Sequence, residues 1–329
     1  MALTSEVESM TETAAPAPRL SSAAYGGAGW QPRTATHRAE IGTRWRACGI
    51  ADETSVLRTV LLSPPGQAFA AASAAPDAAQ FLAPVALEAA LAEHRALADL
   101  YRAEGVEVLE VPASPTHPNQ IFCADLFVMT PEGAILARPA SAVRAGEEVA
   151  VAAALAAARV PILATLRRTA TFEGADLMWL SPQRALLGLG ARTNEAAAGQ
   201  IGGLLGELGV RLEVVDMPIG TMHLMGMLRI FAPGLAVAWP RRLAHRAAAI
   251  LREEGYRVAP VPEGIAETEI NTGLNAVTLA PGRILMPGGQ PAMRRFFEAE
   301  GVTVVETPMQ ALRKAAGAVG CLTGIIHRS

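Results

Sequence analysis

The chain has 329 residues, 51% of them hydrophobic, with a formal net charge of −3 and a pI near 6.1. That length and apolar content suffice for one large domain or two ordinary ones, and the charge balance offers no basic field for nucleic acid or for an acidic membrane surface. Three cysteines, Cys48, Cys123 and Cys321, are too few and too scattered for a disulfide framework, which fits a reducing cytoplasm; no apolar run reaches the roughly 18 residues of a membrane helix, and no basic-then-apolar leader opens the chain.

Residues 1–50 are rich in Ala, Ser, Thr, Pro and Gly without a sustained period, as in "TETAAPAPRLSSAAYGGAGW". They read as a flexible, low-complexity tail that orders locally near Trp30 or Trp45. Residues 51–329 read as a single domain built from a repeat. Four stretches share one design, an apolar run, a proline turn and a second apolar run: "LFVMTPEGAILARP", "LMWLSPQRALLGLG", "LRIFAPGLAVAWP" and "AVTLAPGRILMPGG". Their turn prolines, Pro131, Pro182, Pro233 and Pro281, are 51, 51 and 48 residues apart, and each stretch predicts a hairpin. "VLLSPPG" at 60–66 resembles a first, atypical copy.

A second element recurs out of phase. "GVEVLEVP", "GVRLEVVDMP", "GYRVAPVP" and "GVTVVETP" each follow a helical pattern and predict a strand, with "RVPILATL" (159–166) in the remaining slot. The glycine that opens four of them stands where a helix C-cap belongs. The unit is hairpin, helix, strand, repeated five times. No such unit buries its own faces, so the copies must pack around a common centre; five non-identical copies without capping repeats favour a closed ring over a solenoid. A dinucleotide-binding fold fits poorly, because "GLGART" (188–193) lacks the third glycine and follows a hairpin.

Reactive side chains cluster beside the hairpins. "HPNQIFCAD" holds Asn119, Phe122 and Asp125, "TFEGAD" holds Glu173 and Asp176, "GTMHLMG" holds His223, and the last loop, "GCLTG", holds Cys321. Taken singly each has a blander reading: a core histidine, an inert buried thiol, carboxylates that cap turns. Cys123 alternates within an apolar strand and reads as core. A ring would bring the set to one mouth, assembling a nucleophile, a base, an orienting acid and carboxylates able to hold a cation. No His or Cys pair has zinc-ligand spacing, so no zinc site is expected, and neither a P-loop nor a G-x-S-x-G motif occurs.

The ordered set "FCAD", "FEGAD", "MHL", "NAVTLAPGRILMP" and "GCLTG" resembles, over about residues 54–329, the guanidino-group modifying enzymes of the pentein superfamily. These include dimethylarginine dimethylaminohydrolases, arginine deiminases and arginine amidinotransferases. The resemblance implies a five-bladed α/β propeller with a central Cys-His-Glu (or Asp) triad and no cofactor. Residue by residue, it assigns Cys321 as nucleophile, His223 as general acid/base and Glu173 as the triad carboxylate. Asp125 and Asp176 fall where acids grip the guanidinium, Asn119 and Phe122 beside the substrate, and Arg138 and Arg192 where dimethylarginine hydrolases carry arginines for the substrate's carboxylate. The resemblance puts the nucleophile's pKa under the control of the cationic substrate, a protonated His223 and the amides flanked by glycine. Deiminases and amidinotransferases typically carry an acid two positions after the histidine; here Met225 stands there, and Glu173 replaces the Asp usual in amidinotransferases. Both departures favour hydrolysis of a C–N bond in a dimethylarginine- or arginine-like compound. Amidino transfer to an amine is the second reading, and a non-catalytic binding protein of the same fold the third. The expected partner is a small guanidino compound. Family members are often homodimers, but nothing in the sequence marks an interface.

Overall fold

The computed structural model describes residues 22–329; residues 1–21, the first part of the expected tail, lie outside the described residues. Two units can be separated: the described residues up to Ala39, which include a 3-10 turn at Ala23–Tyr25, and residues 40–329.

Among the described residues, fifteen strands form five three-stranded sheets. The first contains β1 (Leu57–Leu62) and β2 (Glu107–Glu110). The second is β3 (Phe127–Thr130), β4 (Gly133–Leu136) and β5 (Ile162–Thr165); the third is β6 (Leu177–Ser181), β7 (Arg184–Leu189) and β8 (Arg211–Asp216). The fourth is β9 (Leu228–Ala232), β10 (Leu235–Ala238) and β11 (Arg257–Pro260); the fifth is β12 (Val277–Ala280), β13 (Arg283–Pro287) and β14 (Thr303–Thr307). In these four the first two strands pair antiparallel and the third lies parallel to the second. A parallel partner needs a crossover, and helices Glu147–Ala157, Glu195–Glu207, His245–Glu253 and Pro291–Ala299 supply it.

The four turn prolines all fall between the two arms of a hairpin, where proline's fixed φ presets the turn. The hairpin arms are almost wholly buried, whereas β2, β5, β8 and β11 are partly exposed to solvent. Each crossover helix ends in a left-handed residue. Four of these are Gly105, Gly209, Gly255 and Gly301, with φ between +73° and +88°, and the slot without a glycine is filled by Arg159 at +60°.

The first repeat departs from the expected hairpin. β1 takes its antiparallel partner from the far end of the chain, β15 (Gly324–Arg328), and its parallel partner β2 after helix Leu87–Ala103. The residues after Cys321 therefore form a strand that joins the chain's end to its beginning. Gly49 extends the junction, donating to the Ile326 carbonyl and accepting from the Arg328 amide.

Helix Leu87–Ala103 also reaches the segment that carries Cys321. The buried Tyr101 hydroxyl lies 2.7 Å from Thr323 Oγ1, which donates to the Val319 carbonyl. Tyr101→Phe should lower unfolding free energy by about 0.5–1.5 kcal/mol, read from urea titration, because the partner hydroxyl stays buried. An unchanged midpoint would show that the bond contributes nothing.

Candidate active site

The reactive side chains lie in the segments that lead into the first strand of each hairpin. Single 3-10 turns at Cys123–Asp125, Gly174–Asp176 and Leu224–Gly226 run into β3, β6 and β9, and successive turns pack on one another. The short Val319–Leu322 turn, ahead of β15, packs on the first of them. Glycine in "FEGAD" is what allows this approach. A β-carbon on Gly174 would lie 2.3 Å from the Phe127 carbonyl oxygen and 2.5 Å from that of Ala124.

At the centre, His223 Nε2 is 2.7 Å from Glu173 Oε2, and both side chains are buried. Arg144, also buried, donates from Nη1 to Asp125 Oδ2 (2.7 Å) and Glu173 Oε2 (3.1 Å), and from Nε and Nη2 to Glu147 Oε2. Its guanidinium carbon stands 5.9 Å from the centre of the Phe122 ring. Arg192 Nη1 and the Ala140 amide hold the other oxygen of Glu173. Asp125, Glu173 and His223 offer donor atoms within 4.8 Å of one another, the spacing of a metal site. The cation lying between the two acids is the chain's own Arg144, which a metal ion would have to displace.

This packing sets the charges. Burial opposes a charged His223, but Asp125, Asp176 and Glu173 outweigh it and raise its pKa to about 9. Burial likewise opposes the Glu173 carboxylate, yet the hydrogen bond from His223 and the charges of His223, Arg144 and Arg192 hold it well below the usual range. Burial pushes Asp176 up to about 6 and Glu147 up to about 7, the latter despite its contact with Arg144. Cys321 is pushed up to about 11, first by burial and then by the nearby Asp125 charge.

Cys321 and His223 line one cavity of about 320 Å³, with Met225, Trp239, Arg242 and Asn275 among its other walls. A smaller pocket on the acid side is lined by Asn119, Phe122, Asp125, Arg144, Arg192 and again Cys321. The thiol thus faces both. Of the amides expected to face its sulfur, that of Ala318 does so and favours the thiolate, whereas Cys321 N donates to Asn275 Oδ1 and Gly320 N to the Asn275 carbonyl.

Of the residues singled out from the sequence, Cys321, His223, Glu173, Asp125, Asn119, Phe122 and Arg192 converge here. Asn119 also spends its amide on the Ala79 carbonyl. Asp176 is buried next to the cluster with both oxygens engaged, by Thr193 Oγ1 (2.6 Å) and the Leu224 amide (3.0 Å). It anchors the loop that carries His223 instead of facing either pocket. Arg138 is not brought in; it is exposed and donates to the Ala170 carbonyl. Cys123 is buried in the core, as its alternation predicts. Sequence reasoning missed Arg144, Glu147 and Asn275. Arg144 had one signal, an i, i+3 pairing with Glu147 in a stretch where three acids elsewhere were already expected to converge.

A family model described as N,N dimethylarginine dimethylhydrolase, eukaryotic, matches residues 75–280, a stretch that holds Asp125, Glu173 and His223 and ends before Cys321. The uncharacterized protein YkgA of Bacillus subtilis (strain 168) is 22% identical over 231 residues, 70% of this chain and 78% of its own. A dimethylarginine dimethylaminohydrolase from Pseudomonas aeruginosa, solved as a cysteine-to-serine mutant complexed with citrulline, superposes with a TM-score of 0.68 at 20% identity, covering 83% of this chain and 100% of that one. SxtG, an amidinotransferase from Microseira wollei, superposes at 0.66 and 16% identity over 85% of this chain and 97% of its own. At these identities the two structures are likenesses of fold.

Proposed function

The chain belongs to the N,N dimethylarginine dimethylhydrolase family, within the guanidino-modifying pentein superfamily, and from that premise we propose that it hydrolyses a C–N bond of a dimethylarginine- or arginine-like guanidino compound through a covalent amidino-cysteine. In this reading the five sheets are the blades of one α/β propeller domain, into which Cys48, Gly49 and Ile50, expected in the tail, are packed. The observation that carries the proposal is the convergence of Cys321 and His223 on one cavity, with Glu173 bonded to His223 and Asp125 on the sulfur's other side.

The chemistry follows from the charges. A guanidinium carbon is a poor electrophile, so it must be held over the sulfur. Asp125 Oδ1 is buried and accepts no hydrogen bond, which leaves it free to take an N–H of the substrate. In the free protein the raised pKa values leave Cys321 a thiol and His223 an imidazolium at neutral pH. A bound cation beside the sulfur favours the thiolate, and the thiol proton leaves to solvent. The thiolate adds to the guanidinium carbon, the C–N bond to the leaving amine breaks, and His223 gives that nitrogen a proton. Water then passes a proton to His223 and adds to the same carbon. The C–S bond breaks and the proton of the added hydroxyl passes to solvent, releasing a neutral ureido product and the thiolate.

The test is a panel of guanidino compounds incubated with the protein, with and without amine acceptors. A ureido product with release of amine or ammonia is expected. Amidino transfer remains the second reading, favoured by the way the Cys321 cavity extends past His223 to Glu267, Thr268 and Asn271, polar side chains that can seat an acceptor amine. A new guanidino product would select it. Silence with every compound would leave a binding protein.

Asp125→Asn keeps an acceptor for Arg144 but removes the charge that meets the substrate. It should raise KM by roughly 10- to 150-fold, the equivalent of about 1.5–3 kcal/mol for a charge-assisted hydrogen bond, with the melting temperature held. Unchanged kinetics in a folded variant would return Asp125 to a purely structural role.

A further inference from the structure

We propose that Asn275 is a positioning residue that holds the Cys321 sulfur at the junction of the two pockets and favours its thiolate. The inference rests on the reading of Cys321 as nucleophile, and two independent features support it.

The first is register. Asp125, Asp176 and Asn275 each stand six residues before the turn proline of their hairpin, at Pro131, Pro182 and Pro281. Asn275 is therefore the counterpart, in the last hairpin, of the two aspartates of the central cluster. The same slot before Pro233 holds Met227. In the one repeat where the slot meets the sulfur, the acid is replaced by its neutral amide.

The second is geometry. Asn275 Oδ1 accepts from the Cys321 amide at 3.0 Å, and its backbone carbonyl accepts from Gly320 N at 3.2 Å. With the oxygen committed to a backbone N–H, the side-chain orientation is settled, and the NH₂ faces the sulfur, 3.0 Å away. Residue 320 must be small for this clamp to close, since a β-carbon on Gly320 would stand 2.8 Å from Asn275 Oδ1. A thiol sulfur is a weak acceptor and a thiolate a strong one, so an N–H fixed on the sulfur stabilises the ionised form selectively. Burial and Asp125 act in the opposite direction, and Asn275 offsets part of their effect. An aspartate in the slot would set a second anion against the thiolate.

The test needs no turnover. Alkylation of the free, full-length protein by iodoacetamide is followed across pH, and peptide mass spectrometry assigns the rate at Cys321 apart from Cys48 and Cys123. Asn275→Ala should move the midpoint up by about one pH unit, a tenfold slower reaction at any pH below it. Asn275→Asp keeps the oxygen that holds the Cys321 amide and should move it further, which guards against a variant that merely loosens the loop. A midpoint unmoved in both variants overturns the proposal. If Cys321→Ser retains activity while the Asn275 variants still shift the midpoint, the nucleophile reading fails and the clamp stands, so the two failures are separable.

Discussion

Cys321→Ser should abolish turnover, by on the order of 10³-fold or more, without a change in melting temperature. The side chain is buried and nearly isosteric, so the fold has little to lose, whereas a serine hydroxyl is far harder to ionise than a thiol. The same proposal fixes a pH profile. The reactive pair is a Cys321 thiolate beside a protonated His223, yet His223 titrates near pH 9 and Cys321 near pH 11. That pair is a minority form at neutral pH. It grows as the thiol ionises and does not fall until both protons are gone, so kcat/KM should climb through neutral pH to a maximum between the two values. A cationic haloacetamidine should label Cys321 ahead of the other cysteines, with substrate protecting it, because Cys321 lines both pockets of the site whereas Cys48 and Cys123 line neither and are held as thiols by burial. Full activity in the serine variant, or label on Cys48 or Cys123, would remove the covalent mechanism.

The parts of the fold legible in the sequence are those written in local chemistry. A proline between two apolar runs marks a hairpin wherever it occurs, and Pro131, Pro182, Pro233 and Pro281 all do so here. The pairing of β1 with β15 was not legible, because no local signal says that Leu57–Leu62 draws its partner from the other end of the chain. The site divides the same way. Glu173 and His223 stand out as polar groups beside apolar strands. Arg144 does not, because arginines outside strands are usually solvated, and only the inward run of the Ala142–Arg144 turn makes this one central. Reading the repeat for its helices and strands alone also hid Asn275. Aligning the copies on their turn prolines puts it in line with Asp125 and Asp176, and that alignment needs only the sequence.

Arg144 is also where the scaffold should be most fragile. Its side chain is 4% exposed, and it serves Glu147 and Glu173, both 0% exposed, together with Asp125 at 3%. Arg144→Met keeps the bulk and removes the charge, taking from buried Glu147 its cation and leaving Glu173 to His223 and Arg192, and Asp125 to His223 3.9 Å away. Breaking a buried pair in this way costs about 3–5 kcal/mol, well above the value of the same contact on a surface. The loss should depend on pH with a definite sign. Burial already raises Glu147 to about 7, so its carboxylate destabilises the fold as pH rises from the unfolded value through 7 and is harmless when protonated below it. Without Arg144 that pKa moves higher, and the variant should be weakest near pH 8 and recover on acidification towards pH 5. Adding Glu147→Gln should restore part of the stability at pH 8, because it deletes the stranded charge. Urea titrations of the single and double variants at both pH values decide the matter. A loss below about 1 kcal/mol at pH 8, or one that does not shrink on acidification, would mean that the acids find another cation and that Arg144 is not the keystone of the cluster.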